Sequence, residues 1–185
     1  MNRTTRLLAA VLSLLPLAAQ AFSGGAPICH AEDILDSPMG NPIANMGFSL
    51  SAAPAQYTPG QAMTLTLSNL DPGMTVRGVL LYVEDPDALD GDNRPIKRGN
   101  FTAPYPTGIK AVFEDYPGCD FAGLTPVLTH DSSDSKSLPL TVTWQPPAID
   151  TGDLRVRAIA LMTFNAYQLL SLDLPVEFLF KDGFE

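Results

Sequence analysis

Asp85, Asp87, Asp90 and Asp92, followed by Asn93, place carboxylate and amide oxygens at nearly alternate positions of one short segment. Hard oxygen donors in that number are what calcium accepts. The run is not an EF-hand, whose ligands fall at positions one, three and five, with glycine at six and glutamate at twelve. Calcium held by Asp85, Asp87, Asp90 and Asp92 is therefore the one cofactor that the residues suggest, against the simpler reading of a solvated acidic loop.

His30 and His130 are the two histidines of the chain. There is no Gly-x-Ser-x-Gly elbow, Cys-x-x-Cys pair, phosphate-binding loop or His-x-x-x-His spacing, so most hydrolase mechanisms lack their parts. Ser132, His130 and Asp134 can be written as a triad, but close neighbours in one loop seldom supply its geometry. His130 is expected instead to bond backbone near a strand end. Secreted copper oxygenases need an N-terminal histidine ligand, and copper does favour imidazole. With Phe22 as the predicted mature N-terminus that chemistry is excluded, and His30 reads as an exposed neighbour of a disulfide. No catalytic residue is assigned, and the chain is read as a non-enzyme.

The leader carries Arg3 and Arg6, an apolar stretch from Leu7 to Ala19, and a small-residue cleavage pattern ending at Ala21. That is a signal peptide, residues 1–21, and it is too short and too interrupted by Pro16 to span a bilayer. Residues 22–185 then form a single domain addressed to an extracellular compartment, or to the periplasm or outer surface of a bacterium. Removing two arginines takes the formal charge from −9 to −11. Such an acidic chain, with no basic cluster beyond Arg94, Lys97 and Arg98, is a poor partner for nucleic acid or anionic lipid.

Cys29 and Cys119 are the two cysteines, and in an oxidising compartment they are expected to pair. Closing a loop of about 90 residues would contribute roughly 4 to 5 kcal/mol in the chain-entropy picture. Tyr105 and Tyr116, beside proline turns, are the candidate ligand-contacting aromatics, with ordinary packing as the alternative.

These residues need elements to hold them. Phe22 to Tyr57 has weak periodicity and reads as an irregular arm. Alternation over Ala62–Asn69 predicts a strand whose polar face, Thr64, Thr66 and Ser68, carries hydroxyls and no charge. Val76–Val83 is more continuously apolar and is expected to lie centrally in its sheet. Further strands are predicted near Gly99–Thr102, Ile109–Phe113, Leu138–Gln145, Leu154–Met162, Ala166–Leu172 and Leu174–Phe180, with the acidic loop spanning Glu84–Asn93. Seven to nine short strands and no amphipathic helix imply an all-β, immunoglobulin-like β-sandwich.

Several motifs in order resemble the reeler domains found in reelin and F-spondin, in insect immune proteins, and beside ferric-chelate-reductase-like membrane modules. They are Ser23-Gly24-Gly25-Ala26-Pro27 with Cys29, the turn Tyr57-Thr58-Pro59-Gly60, Val76-Arg77-Gly78-Val79-Leu80-Leu81, and Gly99-Asn100-Phe101. Thr129-His130-Asp131 with Lys136 after Cys119, Val142-Thr143-Trp144-Gln145-Pro146-Pro147, and Gly152-x-Leu154-Arg155-Val156 complete the series. The resemblance implies a sandwich with Cys29 joined to Cys119 and a core position for Phe101. Relatives with a second disulfide farther along differ from this chain, which leaves Phe164–Leu172 to be held by packing.

The terminal Asp-Gly-Phe-Glu resembles the ends of some secreted bacterial proteins. The function expected is a secreted recognition module for a cell-surface polysaccharide, glycolipid or protein. An accessory to a metal- or redox-linked enzyme system and a structural surface protein are the competing readings.

Overall fold

A computed structural model describes residues 24–112 and 126–177. Its twelve strands are β1 (Phe48–Ala53), β2 (Met63–Asn69), β3 (Thr75–Val76), β4 (Gly78–Leu89), β5 (Pro95–Lys97) and β6 (Asn100–Thr102), then β7 (Ile109–Ala111), β8 (Val127–His130), β9 (Lys136–Ser137), β10 (Leu140–Gln145), β11 (Leu154–Thr163) and β12 (Ala166–Leu174). One sheet has the order β1-β2-β10-β6; the other runs β12-β11-β4-β8-β7, with β5 added to β4, and β3-β9 form a small ribbon. Every pairing of named strands is antiparallel.

Alternation places Met63, Leu65 and Leu67 of β2 and Leu140, Val142 and Trp144 of β10 on one face, where they meet Val79, Leu81 and Val83 of β4 and Val156, Ala158 and Ala160 of β11. That shared apolar layer is the interior of the sandwich. Each fully buried leucine or valine contributes on the order of 1.5 to 3 kcal/mol relative to an exposed one. Phe101 belongs to this layer, as the family motif implies.

The uninterrupted apolar run of β4 has a separate cause. Its other face, Leu80 and Tyr82, packs with Ile159, Tyr167 and Val127 against Cys29, Ala31 and Ile34. A strand covered on both faces cannot alternate, and the cover here is the N-terminal segment. That segment is more ordered than its sequence suggests: it holds a 3-10 helix, Ala31–Asp36, and β1 itself. β1 went unread because Phe48-Ser49-Leu50-Ser51-Ala52-Ala53 is short and built of small residues.

Other boundaries differ from expectation for local reasons. Pro139 lacks the N–H a ladder needs, so the strand expected from Leu138 begins at Leu140, as β10, and the two-residue β9 before it was not expected. The two strands expected after residue 165 are one, Ala166–Leu174, followed by an isolated bridge from Val176 to Tyr57. The strand expected to continue to Phe180, the leader and the terminal tail lie outside the described residues. Among the described residues no helix is long and apolar enough to cross a membrane.

Candidate functional site

The outward face of the four-stranded sheet carries Ser49, Ser51 and Ala53 on β1, Thr64, Thr66 and Ser68 on β2, Thr141, Thr143 and Gln145 on β10, and Asn100 and Thr102 on β6. Register aligns these into rows: Ser51 opposite Thr66 opposite Thr141, and Ala53 opposite Thr64 opposite Thr143 opposite Thr102. Cross-strand hydrogen bonds join Ser49 Oγ to Ser68 Oγ at 3.0 Å and Thr66 Oγ1 to Thr141 Oγ1 at 3.3 Å. Strands lie about 4.8 Å apart, so the rows present hydroxyls at a regular interval. None of these positions is charged, in a chain of formal charge −9. The sequence showed the β2 part of this face; it could not show that three other strands continue it.

The acidic segment is not the loop expected. β4 extends through Leu89, which puts Asp85 and Asp87 on a strand and leaves Asp90–Arg94 as a tight turn. Asp85 is 5% exposed and is paired with Arg98 at 2.8 Å while accepting the backbone N–H groups of Asp87 and Ala88. Asp90 accepts N–H bonds from Asp92 and Arg94, both at 2.9 Å, and those from Arg94 and Asp92 hold its carboxyl below the ordinary range. Its Oδ1 serves the turn. Among the described residues no three His, Cys, Asp or Glu side chains converge as a metal set. Adding millimolar calcium, or a chelator, is accordingly expected to leave the melting temperature unchanged to within about 1 °C, since a ligand stabilises only by differential binding to the native state; a calcium-dependent rise would restore the carboxylates as ligands.

His130 ends β8 with Nδ1 accepting the backbone N–H of Val79 at 3.2 Å. Thr129 Oγ1 donates to Val79 O at 3.0 Å and accepts from Ala26 N at 2.8 Å. Lys136 Nζ donates to the carbonyls of Arg77, Ser132 and Asp134 at 3.0, 2.7 and 2.8 Å. The Thr-His…Lys motif therefore anchors backbone, and burial lowers the pKa of Lys136.

The seam between the N-terminal segment and the six-stranded sheet gathers most of the perturbed titratable groups. His30, expected to be exposed, is 8% exposed, edge-on to Tyr82 and 2.9 Å from Lys97 Nζ. Burial, then the charge of Lys97, lowers its pKa. Burial likewise brings Lys97 down to about 8 and raises Glu84, whose Oε2 has no hydrogen-bond partner among the described residues. Glu32 pairs with Arg157, Asp33 with Arg94 at 3.0 Å, and the Tyr82 hydroxyl accepts Ala31 N at 2.8 Å.

Cys29 is buried in this seam; Cys119 lies outside the described residues, as does Tyr116. Tyr105 packs against the core and donates to Phe101 O at 3.3 Å, so it is no free-standing aromatic anchor. The Phe164–Leu172 region is held by hydrogen bonds as well as packing: Gln168 spans to Met46 N and to both backbone groups of Phe48, and the Tyr167 hydroxyl donates to Gly40 O at 2.6 Å.

This architecture recurs in solved structures. The human F-spondin reeler domain, fragment 1, aligns with TM-score 0.58 and 18% identity over 76% of this chain and 97% of that one. The Reelin-N domain of F-spondin aligns with TM-score 0.57 and 17% identity over 80% and 99%, and the second human fragment with TM-score 0.55 and 16% identity over 80% and 100%. No curated protein is similar enough to the chain to count as a match. The reeler domain family model matches residues 36–175, and the chain belongs to the reeler domain family.

Proposed function

We propose that this reeler domain is a secreted, non-catalytic recognition module that binds a neutral cell-surface polysaccharide on the outward face of its four-stranded sheet. The carrying observation is that face: eleven aligned positions supply eight hydroxyls and two amides with no charge. Hydroxyls and amides both donate and accept, which suits a polymer that offers the same groups. Charges would have to be desolvated against such a partner without compensation. Threonine methyl groups add apolar contact, and a repeating ligand converts weak single-site binding into avidity.

The same reading includes a signal peptide over residues 1–21 and a Cys29–Cys119 disulfide. A glycolipid or protein partner is the alternative outcome of the test.

Retention of residues 22–185 on neutral polysaccharides, compared with anionic glycans and lipopolysaccharide, tests the reading. Binding to a neutral glycan is expected. The double substitution Thr66→Lys and Thr141→Lys places charge at the centre of the face and is expected to weaken it at least about tenfold, one desolvated charge costing more than 1.4 kcal/mol. Both side chains point outward, so the lost Thr66–Thr141 hydrogen bond and the two facing lysines should lower the melting temperature by only a few degrees and leave the domain folded. No retention on any neutral glycan, or full retention by a folded double variant, would sink the assignment.

A further inference from the structure

Residues 26–43 cross the outer face of the six-stranded sheet as a strap, attached largely through side chains. Beside the backbone bond from Ile43 N to Tyr167 O at 2.8 Å, its attachments include Ala26 N to Thr129 Oγ1, Ala31 N to the Tyr82 hydroxyl, the Tyr167 hydroxyl to Gly40 O, and the pairs Glu32–Arg157 and Asp33–Arg94, and Cys29 is held as well. Underneath lie Leu80, Tyr82, Ile159 and Val127. At the centre, His30 Nε2 stands 2.9 Å from Lys97 Nζ. An ammonium has donors and no acceptor, so the facing imidazole nitrogen accepts and the ring is neutral. A proton on His30 removes that acceptor and sets two cations at contact distance in a buried seam.

We propose that residues 26–43 form a pH-sensitive strap, docked when His30 is neutral and opening more often from the apolar outer face of the sheet, without detaching, when His30 takes up a proton.

The groups facing His30 are Lys97 on β5, Arg94 and Asp90 in the turn before it, Asp33 on the strap and Tyr82 on β4. Lys97 and Arg94 oppose the added charge; Asp33 and Asp90 partly offset it. Because burial and Lys97 hold the docked pKa of His30 below 6.5, its contribution to docking is complete above 6.5 and is lost as pH falls below that value. Lys97, at about 8, is already largely charged in that window. Glu84, faced by Arg157 and Arg155 on β11, Lys97 and Glu32, works in the other direction. Its docked pKa is raised above 4.5, so acidification favours docking through Glu84 and blunts the switch.

Hydrogen exchange read by mass spectrometry, corrected for intrinsic rates, tests the strap at about pH 7.5 and about pH 5.5. In the wild type, peptides from 26–43 should exchange up to about tenfold faster at the lower pH, the limit for a group titrating at 6.5 when undocked, while β10 stays protected. His30→Gln keeps an acceptor without the proton and should abolish the difference. Lys97→Met, which removes the second cation, should flatten it independently, and Glu84→Gln should enlarge it. Equal strap exchange at both values in the wild type, or an undiminished rise in both folded His30→Gln and Lys97→Met, would overturn the proposal.

Discussion

Replacing Trp144 with alanine is expected to lower the unfolding free energy by about 3 to 5 kcal/mol, the range for deleting a large buried aromatic. Trp144 is fully buried, donates from Nε1 to Arg98 O at 3.2 Å, and stands edge-on to Tyr57 with ring centroids 6.1 Å apart. Its removal opens a cavity where β10 meets β6 and strips the Arg98 carbonyl of its donor. Against a typical total of roughly 5 to 15 kcal/mol, that loss leaves a marginal domain. Trp144→Phe keeps most of the ring volume and should cost less. Urea unfolding of the three proteins decides the matter, and a loss below about 1 kcal/mol for the alanine variant would mean that the site collapses freely or was never tightly packed.

Lys136→Met should be the second most damaging of these changes, at about 2 to 4 kcal/mol. The lysine ammonium serves three carbonyls, and each buried acceptor left without a donor costs about 1 to 3 kcal/mol. Water reaches part of this loop, so the sum falls short of the full penalty. The substitution preserves length and apolar contact, which separates the lost donors from lost packing. Urea unfolding gives the magnitude; exchange at amides of β3 and β9 gives the location, because Thr75 and Val76 pair with Ser137 and Lys136 there. A variant as stable as the wild type would show that solvent replaces all three donors.

Lys136 also illustrates what a motif conceals. Its spacing after Thr129 and His130 was visible in the sequence and fitted a family pattern, yet the pattern is silent about which carbonyls the ammonium meets. Those come from Arg77, Ser132 and Asp134, one of them more than fifty residues away. Gly99 is a similar case. The Gly-x-Phe pattern was legible; its cause is that φ is +67° and a Cβ would approach Gln145 O to 2.5 Å and the Trp144 ring to 2.6 Å.

The acidic segment shows local reading failing for a physical reason. Asp85 to Leu89 has the composition of a loop, and β propensity is low for aspartate. Strand conformation wins because Arg98 neutralises Asp85, while β5 pairs along this stretch through Ile96 with Asp85 and Pro95 with Leu89. His30 was misplaced because burial of a histidine in an arm depends on a sheet far along the chain.

What the sequence determined by itself was the all-β class, most strand positions and the family pattern. The first two follow from short-range alternation and turn chemistry, which neighbouring residues dictate, while the family pattern rests on the resemblance of motifs in order. Tertiary structure alone decided which strands share a sheet, and therefore that hydroxyls from β1, β2, β6 and β10 align into one uncharged face. It alone decided that the N-terminal segment covers the second sheet, bringing His30 against Lys97. Both depend on contacts between residues far apart in sequence, and periodicity within a strand carries no information about its partner.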